Sequence, residues 1–563
     1  MKLIISQYLN SLNERGELDA ILPDLLSQLG FTVYSRPGRG TSQDGVDVAA
    51  VGRLNHDKDK VYLFSIKAGD LTRSTWNGST NQSLRPSLDE ILDAYINNRI
   101  PIEHKDKEIV ICICIGGVIQ EPVSANVEGY IQKNTTEKIT FQTWNGDKLA
   151  ALIEANFLRE ELLPDFARGY LRKSLALLDE PESSHRHFIS LLSTLSSEDD
   201  IKPKKKLMSL RQLHICTWIL FSWARDANNL ESAYLSAESS LLFAWDLIKG
   251  TGEKKDKISQ ELHFTFITVL NAYMHITSEY LARVVLPHVD KLQALSVAVE
   301  GQNDVDVTLK MYDIMGRLAL YGLWAKFYLQ APGDSDEPDS SLNHVFECGE
   351  SLKKLINNNP SLLIPLKDDH AIEIFLALLL LSSNSNNFEY LSEWLSEMIG
   401  RIDFTLRAKG RYPTIQNSYV ELLDHPISDD DYFKDSTMGS VLYPVLALWS
   451  VHIRKFEYYE QIQKFHRDVI PHCNSQYWYP DEISEMHIYK NSEIHGGALG
   501  HLIKDQEASS FYKQIFDECE NSDGYESLSC IKNELWPIVL IACRHYRLPV
   551  PVQVMRDLLE IEK

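Results

Sequence analysis

The chain has 563 residues, 44% of them hydrophobic, and a net charge of −23. This length and composition are typical of a globular protein with about two to four domains. Residues 1–170 hold 18 Lys and Arg against 23 Asp and Glu, so most of the negative charge belongs to the rest of the chain. Because phosphate binding needs clustered cations, the composition excludes a general polyanion binder and confines any nucleic-acid contact to a local basic patch.

The sequence carries no signal for a membrane or for export. It contains no run of eighteen consecutive apolar residues, the length that a membrane-spanning helix requires, and the N-terminus lacks the small-residue cleavage site of a signal peptide. The eight cysteines are scattered and form no C-x-x-C pair, so we expect reduced thiols. Cys112 and Cys114, which alternate in an apolar run, are expected to be packing residues. These features predict a soluble, cytoplasmic protein without a membrane partner.

The first 165 residues predict an α/β domain. Apolar residues recur at helical spacing from Leu18 to Leu29, and Gly30 is a natural stop for that helix. Ser87 followed by Glu90 has the pattern of a capping box. The predicted elements, in the order α-β-β-β-α-β-β-α, are a helix at 18–29, strands at 31–35, 46–52 and 61–67, a helix at 87–98, strands at 108–117 and 138–144, and a helix at 145–163. The continuous apolar run at 109–115 favours a strand buried on both faces of a helix-covered sheet.

From about residue 170 onward the pattern is helical nearly throughout, with helices of twelve to twenty residues separated by loops rich in Gly, Pro, Asp and Asn. It predicts a large all-α domain of helical hairpins, similar to a tetratricopeptide array, although no clean repeat emerges. The most linker-like stretch is SSEDDIKPKKK, at 196–206. We therefore expect an α/β domain at 1–168, a linker with a first helix at 169–206, and the all-α domain at 207–563.

The candidate chemistry lies in the stretch QDGVDVAAVGRLNHDKDKVYLFSIKAGD, at 43–70. Alternation along a strand places Ser65 and Lys67 on one side and turns Phe64 and Ile66 toward the core. Asp47, in the neighbouring strand, approaches them if the register of the hairpin brings it opposite. A carboxylate that holds a divalent metal and a lysine beside the developing negative charge are the elements that hydrolyse a phosphodiester bond.

The segments LDAILPDLLSQLGFTV, GVDVAAVG and VYLFSIKAG together resemble the PD-(D/E)XK nuclease superfamily, and more specifically its Mrr-like restriction endonuclease domains. The resemblance covers about residues 14–165 and implies a restriction-endonuclease-like fold, DNA as substrate, and Mg²⁺ or Mn²⁺ as cofactor. It assigns Asp47 as a metal ligand and Lys67 as the catalytic lysine. Asp19 corresponds to the acid of the first helix, with Glu17 as the alternative. The helical region has no recognised family pattern.

Ser65 departs from the family pattern, because it stands where the family has an acid or amide next to the catalytic lysine. A hydroxyl is a much weaker Mg²⁺ ligand than a carboxylate. Three outcomes are open: the backbone carbonyl near residue 65 and Asp19 complete the site, Asp44 or Asp70 supplies the missing charge, or the site is inactive.

Two arginine-containing segments flank these strands. Arg36 and Arg39 lie in the turn RPGRG, and Arg73, Trp76 and Arg85 follow the lysine in a segment rich in Gly, Ser and Asn. Arginines clamp phosphates and an indole stacks on a base, so these five residues are candidates for nucleic-acid binding. The alternative is an exposed loop anchored by one buried tryptophan.

Two functions follow from these patterns. The first is a metal-dependent DNA endonuclease, the effector of a bacterial antiphage defence system, held in check by a helical domain that binds a protein partner or trigger. The defence role rests on similarity of architecture, and a homodimer is expected because cutting both strands needs two sites. The second is a catalytically inactive nuclease fold that acts as a helical scaffold or protein-binding sensor. The residues beside Ser65 discriminate between the two.

Overall fold

The fold is described from a computed structural model, which covers residues 5–6, 9–10, 12, 14, 18–36, 43–54, 58–78, 83–156, 165–195, 202–251, 256–299, 301–330, 338–493 and 495–559. The protein is mostly helical, with a small mixed sheet of five strands near the N-terminus followed by helices. The chain divides into two compact units after Ile276. None of the helices in these described ranges is both long and apolar enough to cross a membrane.

The sheet of the first unit consists of β1 (Thr32–Ser35), β2 (Val48–Gly52), β3 (Lys60–Lys67), β4 (Ile109–Ile115) and β5 (Ile139–Trp144), in that spatial order. β1, β2 and β3 pair antiparallel, whereas β3, β4 and β5 pair parallel. Every residue of β4 is buried, which confirms the expectation of a strand covered on both faces.

Helices cover both faces of this sheet. The helices near it are α1 (Asp19–Gln28), α2 (Arg73–Asn77), α3 (Leu84–Glu90), α4 (Glu121–Asn134) and α5 (Gly146–Asn156); α3 continues through a π-helical stretch (Ile91–Tyr95) and a last turn (Ile96–Asn98), and a 3₁₀ turn follows at Ile102–His104. One face packs Leu63 and Ile111 against Leu88 of α3 in a single hydrophobic cluster. On the other face Phe64 contacts Trp144 edge to face at 5.1 Å.

Five longer helices complete the first unit: α6 (Asp165–Ala176), α7 (Pro181–Leu195), α8 (Pro203–Asp226), α9 (Leu230–Ile248) and α10 (Lys257–Tyr280), the last of which crosses the division after Ile276. Arg211 of α8 reaches the sheet-covering helix α1, where it donates to Gln28 Oε1 at 3.1 Å, and it also contacts Glu261 of α10 at 3.3 Å. The helices directly after the sheet are therefore packed with it in one unit. The domain boundaries expected at 168 and 206 remain predictions.

The second unit, Thr277–Lys563, is mainly helical. Its α-helices are α11 (Ala294–Ala298), α12 (Asp304–Gln330), α13 (Pro338–Asn358), α14 (Ala371–Leu381), α15 (Phe388–Ala408), α16 (Tyr419–Asp424), α17 (Asp430–Ser436), α18 (Leu442–His452), α19 (Phe456–Asp468), α20 (Ser484–His487), α21 (Ala508–Glu520), α22 (Gly524–Ser527), α23 (Ser529–Lys532), α24 (Pro537–Tyr546) and α25 (Val552–Leu559). A π-helical stretch (Leu281–Val285) and 3₁₀ turns (Leu286–His288, Pro360–Leu363, Asp368–His370 and Ser385–Asn387) supplement them.

The second unit also contains two small two-stranded sheets, which the all-α expectation did not include. Its strands are β6 (Gly439–Ser440), β7 (Asn474–Ser475), β8 (Tyr477–Tyr479) and β9 (Gly497–Leu499), paired β6 with β7 and β8 with β9. Each strand has only two or three residues, too short for the period of a strand to show in the sequence.

Two local predictions in the sheet region were wrong. Helix α3 begins at Leu84 rather than Ser87, and Ser87 lies inside the helix with its hydroxyl donating to Ser83 O at 3.2 Å. Pro86 explains the earlier start, because a proline is tolerated in the first turn, where its missing N–H is not needed. Helix α4, which connects the parallel strands β4 and β5, was not predicted, although its buried apolar residues Val123, Val127 and Tyr130 recur at helical spacing.

Gly45 sets the path of the chain into β2. Its φ of +79° lies in the left-handed region, and a Cβ at this position would lie 2.0 Å from the backbone oxygen of Ser87 in α3. Both the conformation and the close approach require glycine. The turn that precedes Asp47 is therefore packed directly on α3.

We predict that Gly45→Ala destabilises the first unit by about 2–4 kcal/mol, because it combines overpacking against backbone with an unfavourable left-handed φ. The measurement is calorimetric thermal unfolding of the full chain. Gly169→Ala in α6 is the control, because a Cβ there meets no atom within 4 Å, and it should raise stability by up to about 1 kcal/mol. Equal midpoints for wild type and Gly45→Ala would contradict the packing described here.

Candidate active site

Asp47 is held at the entry to β2 by two hydrogen bonds to β3. Its backbone N–H donates to Phe64 O at 2.9 Å, and its carboxylate Oδ2 accepts from the backbone N–H of Ile66 at 2.7 Å. Val48 pairs with Phe64 in the antiparallel register, so Asp47 stands beside the last residues of β3. The side chain is thus directed by the sheet register rather than by a loop.

Lys67, the last residue of β3, extends into a largely buried position. Its side chain is 10% exposed, and its Nζ donates to Glu14 Oε1 at 2.9 Å. The sequence prediction assigned the helix acid to Asp19 or Glu17 and missed Glu14. Ile5, Leu9 and Leu12 are buried apolar residues at helical spacing, and this pattern was the signal that could have extended the N-terminal helix toward Glu14.

Four charged groups interact in this region, and we call Asp47, Lys67, Glu14 and Asp19 the Asp47 cluster. Burial raises the pKa of Asp47 to about 6, with Glu14 and Asp19 raising it further and the Ile66 N–H and Lys67 opposing the shift. The structure therefore brings the predicted residues Asp47, Lys67 and Asp19 into one electrostatic neighbourhood. Glu17 lies outside the described residues.

Ser65 is fully buried, and its hydroxyl has no hydrogen-bond partner in the described part of the chain. It pairs with Ile113 of β4 in the parallel register. The prediction turned Phe64 and Ile66 toward the core, whereas in the structure every residue from Val61 to Lys67 is buried, so the core lies on both sides of the strand. Whether Ser65 takes part in catalysis remains a prediction.

The two acids considered as replacements at Ser65 are engaged elsewhere. Asp44 forms an ion pair with Arg99 at 2.5 Å. Asp70 Oδ1 accepts from the backbone N–H of Val118 at 2.9 Å. Glu14 and Asp19 are the carboxylates whose charge acts on Asp47.

The Asp47 cluster offers the type of donor atom that a hard divalent cation prefers. Its ligands would be carboxylate oxygens, which Mg²⁺ prefers, and their mutual repulsion is the kind that a bound cation relieves. Within the described ranges, no group of three or more His, Cys, Asp or Glu side chains is arranged to hold a metal. Asp47 and Glu14, with Asp19 nearby, are the residues that would hold one.

Three of the five residues predicted to bind nucleic acid lie together. Arg73 and Trp76 of α2 and Arg85 of α3 line one cleft of about 590 Å³, whose third wall is α4. We call it the basic cleft. Trp76 is buried and contacts Tyr130 of α4 edge to face at 5.6 Å. It is thus a buried anchor, as the alternative interpretation of this segment expected. The two arginines are exposed.

Arg36 is not part of the basic cleft. Its guanidinium lies 4.0 Å from the centroid of the Phe264 ring of α10, and it lines a separate pocket together with Asp24 and Arg211. Burial lowers the pKa of Arg36. Arg39 lies outside the described residues.

Comparison of the chain with protein-family models, with curated proteins and with solved structures finds no match.

We predict that Asp47→Asn stabilises the protein at neutral pH but not in acid. A raised folded-state pKa means that the native state binds the proton more tightly, so wild type loses stability as pH rises from 3.8, the unfolded value, to about 6. Above that pH the loss is constant at about 3 kcal/mol. The thermal midpoint of Asp47→Asn should exceed that of wild type by several degrees at pH 7.5, and the difference should vanish near pH 3.8. A difference independent of pH would contradict the assignment.

We predict that Ser65→Ala leaves stability unchanged or raises it by up to about 1 kcal/mol, because the substitution removes a buried hydroxyl without a partner. Ser87→Ala is the matched control, since it deletes a buried hydroxyl that donates to Ser83 O, and it should cost about 1 kcal/mol. Thermal unfolding of the two variants measures both. Destabilisation by Ser65→Ala as large as that of Ser87→Ala would show that the Ser65 hydroxyl is hydrogen-bonded.

Proposed function

We propose that the first unit is a metal-dependent endonuclease of the PD-(D/E)XK type that cleaves phosphodiester bonds in DNA. The observation that carries the proposal is the convergence of Asp47, Glu14 and Lys67, with Asp19 nearby, where β2 begins and β3 ends. Two features of this arrangement agree with the sequence resemblance: an acid at the entry of one strand and a lysine at the end of the next. Glu14 supplies a carboxylate that Ser65 does not.

In this proposal each residue of the cluster has a separate role. Asp47 and Glu14 would hold Mg²⁺ or Mn²⁺, and Asp19 would add negative charge to that position. When bound, the ion would supply an activated water and neutralise charge on the phosphate. Lys67, whose ammonium group is oriented by Glu14, places a positive charge beside the phosphoryl oxygens, where a preorganised cation stabilises the transition state. The hydrogen bond from Ile66 N–H fixes one Asp47 oxygen and orients the other.

We extend the proposal to the whole chain by its architecture. A small nuclease-like sheet followed by a long series of helices fits an effector of bacterial antiphage defence, in which the helices bind a protein partner or trigger and restrain the nuclease. The proposed location is the cytoplasm, and a homodimer is proposed because each site cuts one strand.

We predict that the full chain nicks or linearises plasmid DNA with Mg²⁺ or Mn²⁺, and that Asp47→Asn, Glu14→Gln and Lys67→Gln each lower the rate by about 10²-fold or more, as loss of a preorganised charge does. Asp59→Asn is the matched control, because Asp59 is exposed in the turn before β3, and it should keep the wild-type rate. Equal rates for all five proteins would exclude the proposed site.

Calorimetric titration with Mn²⁺ tests the same site without requiring turnover. Wild type and Asp59→Asn should bind the ion with equal affinity, and Asp47→Asn should bind it at least tenfold more weakly. Metal binding that depends on Asp47, without cleavage, would favour a restrained enzyme. Absence of both metal binding and cleavage would favour the alternative function, an inactive nuclease fold that serves as a scaffold or protein-binding sensor.

A further inference from the structure

The walls of the basic cleft carry an excess of positive charge in an acidic protein. Arg73, Arg85 and Lys133 line it, one from each of the helices α2, α3 and α4, and all three are exposed. Asp89 is the one acid on the described lining, and its Oδ1 accepts from the Tyr130 hydroxyl at 2.7 Å. The cleft is therefore a local basic patch. A protein with a net charge of −23 can bind a polyanion only at such a patch, because phosphate binding needs clustered cations.

The cleft also carries amide side chains. Asn77, Asn126 and Asn134 line the same cleft, and on α4 Asn126 and Lys133 are seven residues apart, on one helical face. Asn134 donates to the backbone oxygen of Tyr130 at 2.9 Å, which orients its amide. Side-chain amides form paired hydrogen bonds with the edges of nucleobases.

The size of the cleft limits what can enter it. Its volume of about 590 Å³ lies within the range of about 300–1,000 Å³ that encloses a small molecule, far less than a duplex occupies. A base in a duplex is stacked and paired, so it enters a pocket only after it has left the helix. A cleft lined by both cations and amides suits a nucleotide whose base is unpaired.

We propose that the basic cleft binds one unpaired nucleotide of a single nucleic-acid strand, with its phosphates on Arg73, Arg85 and Lys133 and its base against the amides. The inference rests on the proposed function in that the strand it binds is one strand of the DNA that the first unit is proposed to cleave. Lys67 precedes Arg73 by six residues, so the two lie within about 21 Å of each other. A strand in the cleft therefore reaches the Asp47 cluster within a few nucleotides.

Gly129 allows the cleft to be filled without disturbing the fold. It lines the cleft, and a Cβ at this position meets no atom within 4 Å, so Gly129→Leu places a side chain in the cleft itself. A leucine also favours the helix over glycine. Gly169→Leu in α6 is the matched control, because Gly169 has the same open surroundings and does not line the cleft.

The test measures fluorescence anisotropy of a labelled 12-nucleotide single strand and of the matching duplex with the full chain in EDTA, which prevents cleavage. Wild type and Gly169→Leu should bind the single strand at least tenfold more tightly than the duplex. Gly129→Leu should weaken single-strand binding at least tenfold while its thermal midpoint stays equal to or above that of wild type. Equal binding of both nucleic acids by wild type, or wild-type binding by Gly129→Leu, would overturn the inference.

A salt titration tests the cations separately. Each phosphate contact on a single strand contributes about 0.7 to the slope of log affinity against log salt. Replacing both Arg85 and Lys133 by glutamine should therefore reduce the magnitude of this slope by about 1.4. Replacing Arg172 and Lys173, both exposed on α6, removes the same charge and should leave the slope unchanged. Equal slopes for the two pairs would overturn the inference, as would a mononucleotide or inorganic phosphate binding as tightly as the strand.

Comparing single-strand binding with metal binding and cleavage distinguishes a failure of this inference from a failure of the proposed function. Single-strand binding by a protein with neither metal binding nor cleavage would uphold the cleft and reject the nuclease. Cleavage that depends on Asp47, by a protein whose cleft variants bind normally, would reject the cleft alone.

Discussion

The central constraint on the candidate site is the free-energy cost of burying the ionised Asp47 carboxylate away from water. Burial raises the pKa of this group to about 6, which corresponds to about 3 kcal/mol against its ionised form. The Ile66 N–H and the positive charge of Lys67 offset part of that cost, whereas Glu14 and Asp19 add to it. A position of this kind reduces stability, and such positions are concentrated at functional sites.

The antiparallel register of β2 on β3 is what brings Asp47 and Lys67 together. Val48 pairs with Phe64, and a slip by one residue would move each side chain to the opposite face of the sheet. The apolar residues of both faces prevent that slip, because Leu63 packs in one layer and Phe64 in the other. The hydrophobic layers therefore specify the geometry of a polar site to which their side chains contribute no polar atom.

Helix α1 joins the Asp47 cluster to the helices that follow the sheet. It carries Asp19 at its start, and near its end Gln28 accepts from Arg211 of α8. Asp24, in the same helix, is buried beside His214 of α8; burial raises the pKa of Asp24 to about 6 and lowers the pKa of His214 to about 4. One helix thus contacts both the candidate site and the helical part of the first unit.

The pattern of neighbouring residues in the sequence was enough to predict the local features. Apolar periodicity predicted α1 and the five strands. The strand-turn-strand motif predicted that Asp47 and Lys67 lie close together. The same pattern failed where a feature depends on residues distant in the chain. Glu14 and Lys133 gain their neighbours from elements many residues away, Ser65 is enclosed by helices on both sides, and Arg36 packs on Phe264 of a distant helix. Hydrophobic spacing is a property of the local chain, whereas the partner of a charged side chain is set by how the layers pack, and only the tertiary structure decides that.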